Sequence, residues 1–267
     1  MRAGQDTRIP ARTVALVTAL GATRAVAAAL RRRRAGAGST RWERTNYAGR
    51  TVDLFAGPAV AVGSMLGALP ALPALPARTR GAAAVAVGAA ALCGAYDDMA
   101  GAGDPRRGFR AHLGALRHGD VTSGAVKLFG IGAAGLVAGA MLKERPLDKL
   151  LAGVVIAGSA HVVNLVDVGP GRAAVAVMGL GAPGLLRRGA AGALAAAPVG
   201  AAAAVVTDDL GERTMLGDTG AHALGAALGT AVVAGNGRAG LALHAAALVA
   251  ATIRGADVSR MSAGSPM

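Results

Sequence analysis

Aromatic residues are scarce in this sequence: three Phe, two Tyr and one Trp among 267 residues. A water-soluble core needs bulky side chains to bury enough apolar area, and this chain does not supply them. Cysteine is nearly absent as well. The single Cys93 excludes an intrachain disulfide and a multi-cysteine metal site. Basic residues interleaved with aromatics are also missing, so the net charge of +13 does not indicate nucleic acid. No small-residue cleavage site follows a basic and apolar N-terminal pattern, so the first apolar segment is expected to be retained. Neither a soluble domain nor a long linker is visible.

What is present is Ala and Gly in long apolar runs. The chain is 53% hydrophobic, with 41 Gly and a mean hydropathy of +0.47. Runs of about 17–20 residues fit membrane-spanning helices, and small residues let such helices approach closely. Nine spans are expected, near residues 10–30, 53–72, 79–96, 124–142, 147–164, 172–186, 190–206, 219–235 and 239–254. The fold class is therefore all-α: a polytopic membrane helix bundle in which residues 1–267 form one domain. The "LPALPALPA" run, Leu69–Ala77, reads as a loop at the far side.

The basic residues lie mostly in loops. The Arg31–Arg34 run after the first span places that loop in the cytoplasm by the positive-inside rule. The N-terminus is then outside and the C-terminus cytoplasmic. Under this alternation most of the 15 acids reach the cytoplasmic face, although acids contribute little to topology. Spans three, five and seven deliver Asp97 and Asp98, Asn164 and Asp167, and Asp208 and Asp209 to that face. Span eight starts there, just after Asp218.

Carboxylates among Lys and Arg suit a metal ion and a phosphate substrate. Mg²⁺ takes oxygen ligands, commonly one or two carboxylates plus substrate phosphates, and basic side chains neutralise the remaining phosphate charge. Four segments carry this reading. "YDDMAG" holds adjacent acids about 100° apart on a helix, so they need not share a ligand; the plainer reading is a solvated helix end with Tyr96 as interfacial anchor. "SGAVKLFG" places Lys127 one turn into span four, beside a diphosphate or snorkelling to the surface. "NLVDVGPGRA" sets Asn164 and Asp167 on one helix face, then a tight loop with Arg172 that can grip phosphate or merely connect helices. "TMLGDTGAHALG" puts Asp218 between glycines, as a metal ligand or only a helix N-cap.

In this order and on one face, the four segments resemble the polyprenyl-phosphate N-acetylhexosamine-1-phosphate transferase superfamily, which includes phospho-N-acetylmuramoyl-pentapeptide transferase. The resemblance runs from "RTNYAGRTVDLFAGP" (Arg44–Pro58) to about Gly229. It implies transfer of a sugar-1-phosphate from a nucleotide sugar, UDP by analogy, to a polyprenyl phosphate at the cytoplasmic face of the plasma membrane. The reaction would depend on Mg²⁺ and serve bacterial cell-wall polymer synthesis. By position, Asp97, Asp98 and Lys127 match catalytic groups and Asp218 matches the Mg²⁺-binding aspartate. Arg44, Asn46, Arg50, Asn164, Asp167 and Arg172 fall where substrate is bound. A homodimer is implied by the family alone.

The chain departs from the pattern in several places. Pro170 replaces the second aspartate of the Asn-x-x-Asp motif, and Arg172 replaces its final Leu. Met215 stands where a Phe faces the nucleobase, and Ala221 replaces a Ser. The family's last cytoplasmic loop, with its His-rich motif, and its tenth span have no counterpart in this sequence. His222 sits one turn after Asp218, while His244 reads as a packed histidine. These losses bear on donor recognition more than on the metal and lipid-phosphate groups. The competing reading is a non-catalytic lipid-phosphate binder or scaffold on the same fold. A transporter is disfavoured, because Arg24, Lys127 and His244 are isolated and form no polar path through the spans.

Overall fold

The structure is a computed structural model, and it describes residues 9–37, 42–46, 48–68, 75–101 and 109–264. Most of the expected far-side loop, residues 69–74, lies outside the described residues. In chain order the elements are α1 (Ala11–Ala37), β1 (Glu43–Thr45), β2 (Thr51–Asp53), α2 (Ala56–Ala68), α3 (Ala77–Ala100), α4 (Phe109–Arg117), α5 (Ser123–Leu142), α6 (Pro146–Val166), α7 (Arg172–Leu185), α8 (Gly189–Leu210), α9 (Gly217–Gly235), α10 (Arg238–Ile253) and α11 (Gly255–Gly264).

Each expected span coincides with a helix, but five are long and apolar enough to cross a membrane. These are Ala11–Arg33 within α1, and α3, α5, α6 and α8. The other apolar helices α2, α7 and α10 have 13, 14 and 16 residues. At 1.5 Å rise per residue α7, α10 and the described part of α2 are shorter than an average hydrocarbon core. Helix α9 has 19 residues but carries Asp218, Thr219 and His222 in its first two turns. The finding is thus an all-helical bundle with five membrane-crossing candidates.

Leaving aside α4, successive helices from α1 to α10 alternate in direction. Cross-helix bonds show the two ends. At one end, Arg12 of α1 reaches the carbonyl of Arg187 at 3.3 Å, Lys143 donates to the carbonyl of Asn236 at 2.7 Å, and Arg238 pairs with Asp148 at 2.6 Å. At the other end, Arg31 pairs with Asp208 at 3.0 Å, and α3, α5 and α9 meet through Asp97, Lys127 and Asp218.

Small residues set the packing. The buried core is largely Ala and Val, with Leu54, Ile156, Leu216, Leu224 and Leu241 among the largest fully buried side chains. Close backbone approach replaces side-chain interdigitation. A Cβ on Gly57 of α2 would lie 2.5 Å from the carbonyl oxygen of Leu216, and one on Gly94 of α3 would overlap the main chain of Asp218. Both crossings hold the start of α9 in place.

The short antiparallel hairpin of β1 and β2 was not expected from the sequence. It pairs Glu43 with Asp53 and Thr45 with Thr51. Asp53 then bridges in parallel to Thr214, whose hydroxyl donates to the Asp53 carboxylate at 2.6 Å. Thr214 is fully buried, and the amide of Met215 donates to the Asp53 carbonyl at 2.8 Å. The hairpin therefore anchors the segment that leads into α9.

Candidate active site

The structure brings Asp97, Asp98, Lys127 and Asp218 together at one end of the bundle. Lys127, one turn into α5, donates to Asp97 at 2.7 Å and also pairs with Asp218. The Asp97 and Asp218 carboxylates are within hydrogen-bonding reach of each other, and Ser123 also hydrogen-bonds Asp97. Three helices thus share one ammonium group. The N-cap of α5 is Thr122, whose side chain accepts from the amide of Ala125 at 3.1 Å. This fixes where the helix starts and hence where Lys127 falls.

Asp98 is placed differently. Its carboxylate accepts from the amides of Asp218 and Thr219 at 3.0 Å each, and from the Thr219 hydroxyl at 2.6 Å. It acts as a capping group supplied to α9 from α3. A negative charge here satisfies orphan amides and complements the helix dipole. The two adjacent acids therefore point at different partners, as their helical spacing requires. His222 is buried, with Nδ1 2.8 Å from the Asp218 carbonyl oxygen.

A second group adjoins the first. Asn46, Asp167, Asp209, Glu212 and Met215 line a cavity of about 160 Å³, together with Gly169 and Pro170. Asp167 caps the end of α6. Burial and the neighbouring Asp209, Asp218 and Asp98 push its carboxyl well above the usual carboxylate range. Asn46 donates to Glu212 at 2.6 Å, while its own side-chain oxygen accepts from the amides of Ala48 and Arg50. Arg50 approaches Glu212 at 3.8 Å.

The remaining expected residues are more peripheral. The Arg44 guanidinium donates to the carbonyl of Glu43 at 2.7 Å. Asn164 is half-buried, with its main-chain oxygen accepting from the Asp167 amide. Arg172 lies against Gly169, within its own loop.

Asp209 and Glu212 were not singled out as site residues in the sequence. The available signal was the Asp208–Asp209 pair, where a 100° step sends the two acids to different sides. Asp208 meets Arg31 at 3.0 Å and Arg213 at 2.6 Å, whereas Asp209 turns inward and is 4% exposed.

Among the described residues, no group of three or more His, Cys, Asp or Glu side chains is gathered to hold a metal ion. The Asp97–Asp218 pair nevertheless fits Mg²⁺, which needs only one or two carboxylates when phosphates complete its shell. Lys127 now stands where such a cation would compete. No family model matches the chain, and no curated protein matches it.

Proposed function

We propose that this chain is a membrane-embedded transferase of the polyprenyl-phosphate hexosamine-1-phosphate type. It moves a sugar-1-phosphate from a nucleotide sugar, UDP by analogy, to a polyprenyl phosphate. The observation that carries this reading is the Lys127 ammonium shared by Asp97 and Asp218 at one end of the bundle. The bundle would cross the plasma membrane nine times, N-terminus outside, with this end in the cytoplasm and the protein working as a homodimer in envelope polymer synthesis.

An oxygen of the lipid phosphate attacks the β-phosphorus of the donor. The bond from that phosphorus to the bridging oxygen breaks, and nucleoside monophosphate leaves with the electron pair. A phosphate monoester is largely dianionic near neutral pH, so the attack requires no strong base. Mg²⁺, held by Asp218 with Asp97, would neutralise diphosphate charge. Lys127 and Arg172 provide positive charge where negative charge develops. Asp98 keeps the first turn of α9, and so Asp218, in register. Asn46 and Asp167 line the cavity on what would be the donor side, and Arg44, Arg50 and Asn164 would meet the donor from outside it. Positioning and electrostatics dominate phosphoryl transfer, which suits so small a set of groups.

The second reading is a lipid-phosphate binder without turnover, and it is favoured by the Lys127 ammonium lying between the two carboxylates that would hold the metal. One experiment separates the two. Purified protein in detergent is given polyprenyl phosphate, Mg²⁺ and a panel of nucleotide sugars, and nucleoside monophosphate release is followed. Release that requires lipid, metal and Asp218, and is lost in a folded Asp218→Asn variant, supports the transferase. Lipid binding without release from any donor supports the binder.

A further inference from the structure

We infer that the cavity between α6, α8 and the hairpin is a second divalent-cation site, separate from Asp218 and built on Asp209 and Asp167. The carrying observation is Asp209 itself. It is 4% exposed, it lines the cavity, and its Oδ2 has no hydrogen-bond partner. A buried charge left unpaired is costly, and here the protein maintains one deliberately oriented. The amide of Gly171 hydrogen-bonds the Asp209 carboxylate. Gly171 has φ +71°, a conformation that glycine adopts freely. The loop between α6 and α7 thus pins the carboxylate at the cavity wall while Oδ2 is left without a donor.

The surroundings favour a cation. Asp167, from α6, lines the same cavity, and Glu212 lies at its edge held by Asn46. No Lys, Arg or His is among the described lining residues, and the Arg50 guanidinium pairs with Glu212 rather than with Asp209 or Asp167. Water alone does not neutralise such a cluster. The volume of about 160 Å³ holds roughly five waters at about 30 Å³ each. It can therefore take a cation that keeps several waters, as Mg²⁺ does, using two carboxylates and no closed protein cage. The cation class follows from these residues alone. Only its role rests on the transferase reading: an anionic donor can enter so acidic a cavity only when a cation screens it.

The test uses the full chain in neutral detergent with Mn²⁺ alone, following the free-ion signal by electron paramagnetic resonance. Asp218→Asn should retain a Mn²⁺ site that competing Mg²⁺ empties. Adding Asp209→Asn should remove that site or weaken it at least about tenfold, and Asp167→Asn, on a different element, should do the same. Without metal, Asp209→Asn should unfold no earlier than the parent chain, since it removes a buried unpaired charge. Mn²⁺ should raise the unfolding midpoint of the parent chain and not of Asp209→Asn. Equal stoichiometry and affinity with and without Asp209, in a folded protein, overturns the site. So does a parent chain whose Mn²⁺ binding is abolished by Asp218→Asn alone.

Discussion

Replacing Asp98 by Ala tests the arrangement most directly, because it separates a capping acid from a reacting one. The carboxylate accepts two amide bonds and one hydroxyl bond from the first turn of α9. Loss of a helix N-cap costs about 0.5–2 kcal/mol, and a hydrogen bond to a charged group is worth about 1.5–3 kcal/mol. These contributions overlap, and Asp98 is only half-buried, so water replaces part of what is lost. A cost of about 2–3 kcal/mol follows. At tenfold per 1.4 kcal/mol, the amides of Asp218 and Thr219 should open roughly 30- to 150-fold more often. Hydrogen exchange on peptides covering residues 214–225 reads this locally, and the unfolding midpoint in detergent reads it globally. Asp98→Asn keeps one acceptor oxygen and should fall between the parent and Asp98→Ala. The capping role is refuted if Asp98→Ala leaves both readouts unchanged while Asp97→Ala shifts them.

Three further outcomes follow from the same geometry. Lys127→Met removes the shared ammonium and leaves Asp97 facing Asp218; it should destabilise the protein by on the order of 3 kcal/mol, measured as a fall in unfolding midpoint that a second change, Asp97→Asn, partly restores. The raised carboxyl of Asp167 means the folded state holds that proton more tightly than the unfolded chain does. Its contribution to stability is therefore complete below the ordinary aspartate value near 3.9 and is lost as pH rises through the higher folded value. Unfolding midpoints across pH should show this decline in the parent chain and a flatter, higher profile in Asp167→Asn. Gly57→Ala should cost about 1–3 kcal/mol by overpacking, since its Cβ would meet the Leu216 carbonyl, and the loss should be visible in the same unfolding measurement.

Helix positions were legible because hydropathy registers burial and lipid contact over long windows. The expected span 124–142 became Ser123–Leu142, and 219–235 became Gly217–Gly235. Span two begins at Ala56 and not at residue 53, and its expected end at residue 72 lies outside the described residues. The hairpin of β1 and β2 was invisible because each strand has three residues, too few to show a period. It is set by the long-range pairing of Asp53 with Thr214. The convergence of Asp97, Lys127 and Asp218 could be anticipated from alternating spans. The capping role of Asp98 could not, because its partners lie 120 residues away. Asp209 escaped notice for a related reason: only the packed bundle shows that its neighbour Asp208 takes Arg31 and Arg213 while Asp209 faces inward.

The bond between Lys127 and its two aspartates has a mechanical side. In the free protein this lysine works as a clasp joining α3, α5 and α9. A phosphate that draws Lys127 toward itself, or a cation that displaces it from the two carboxylates, opens the clasp at the same moment. Ligand arrival and the release of α5 from α3 and α9 are then one event. Asp98, grasping α9 by its main chain, is the hinge pin that keeps the parts aligned while the clasp is open.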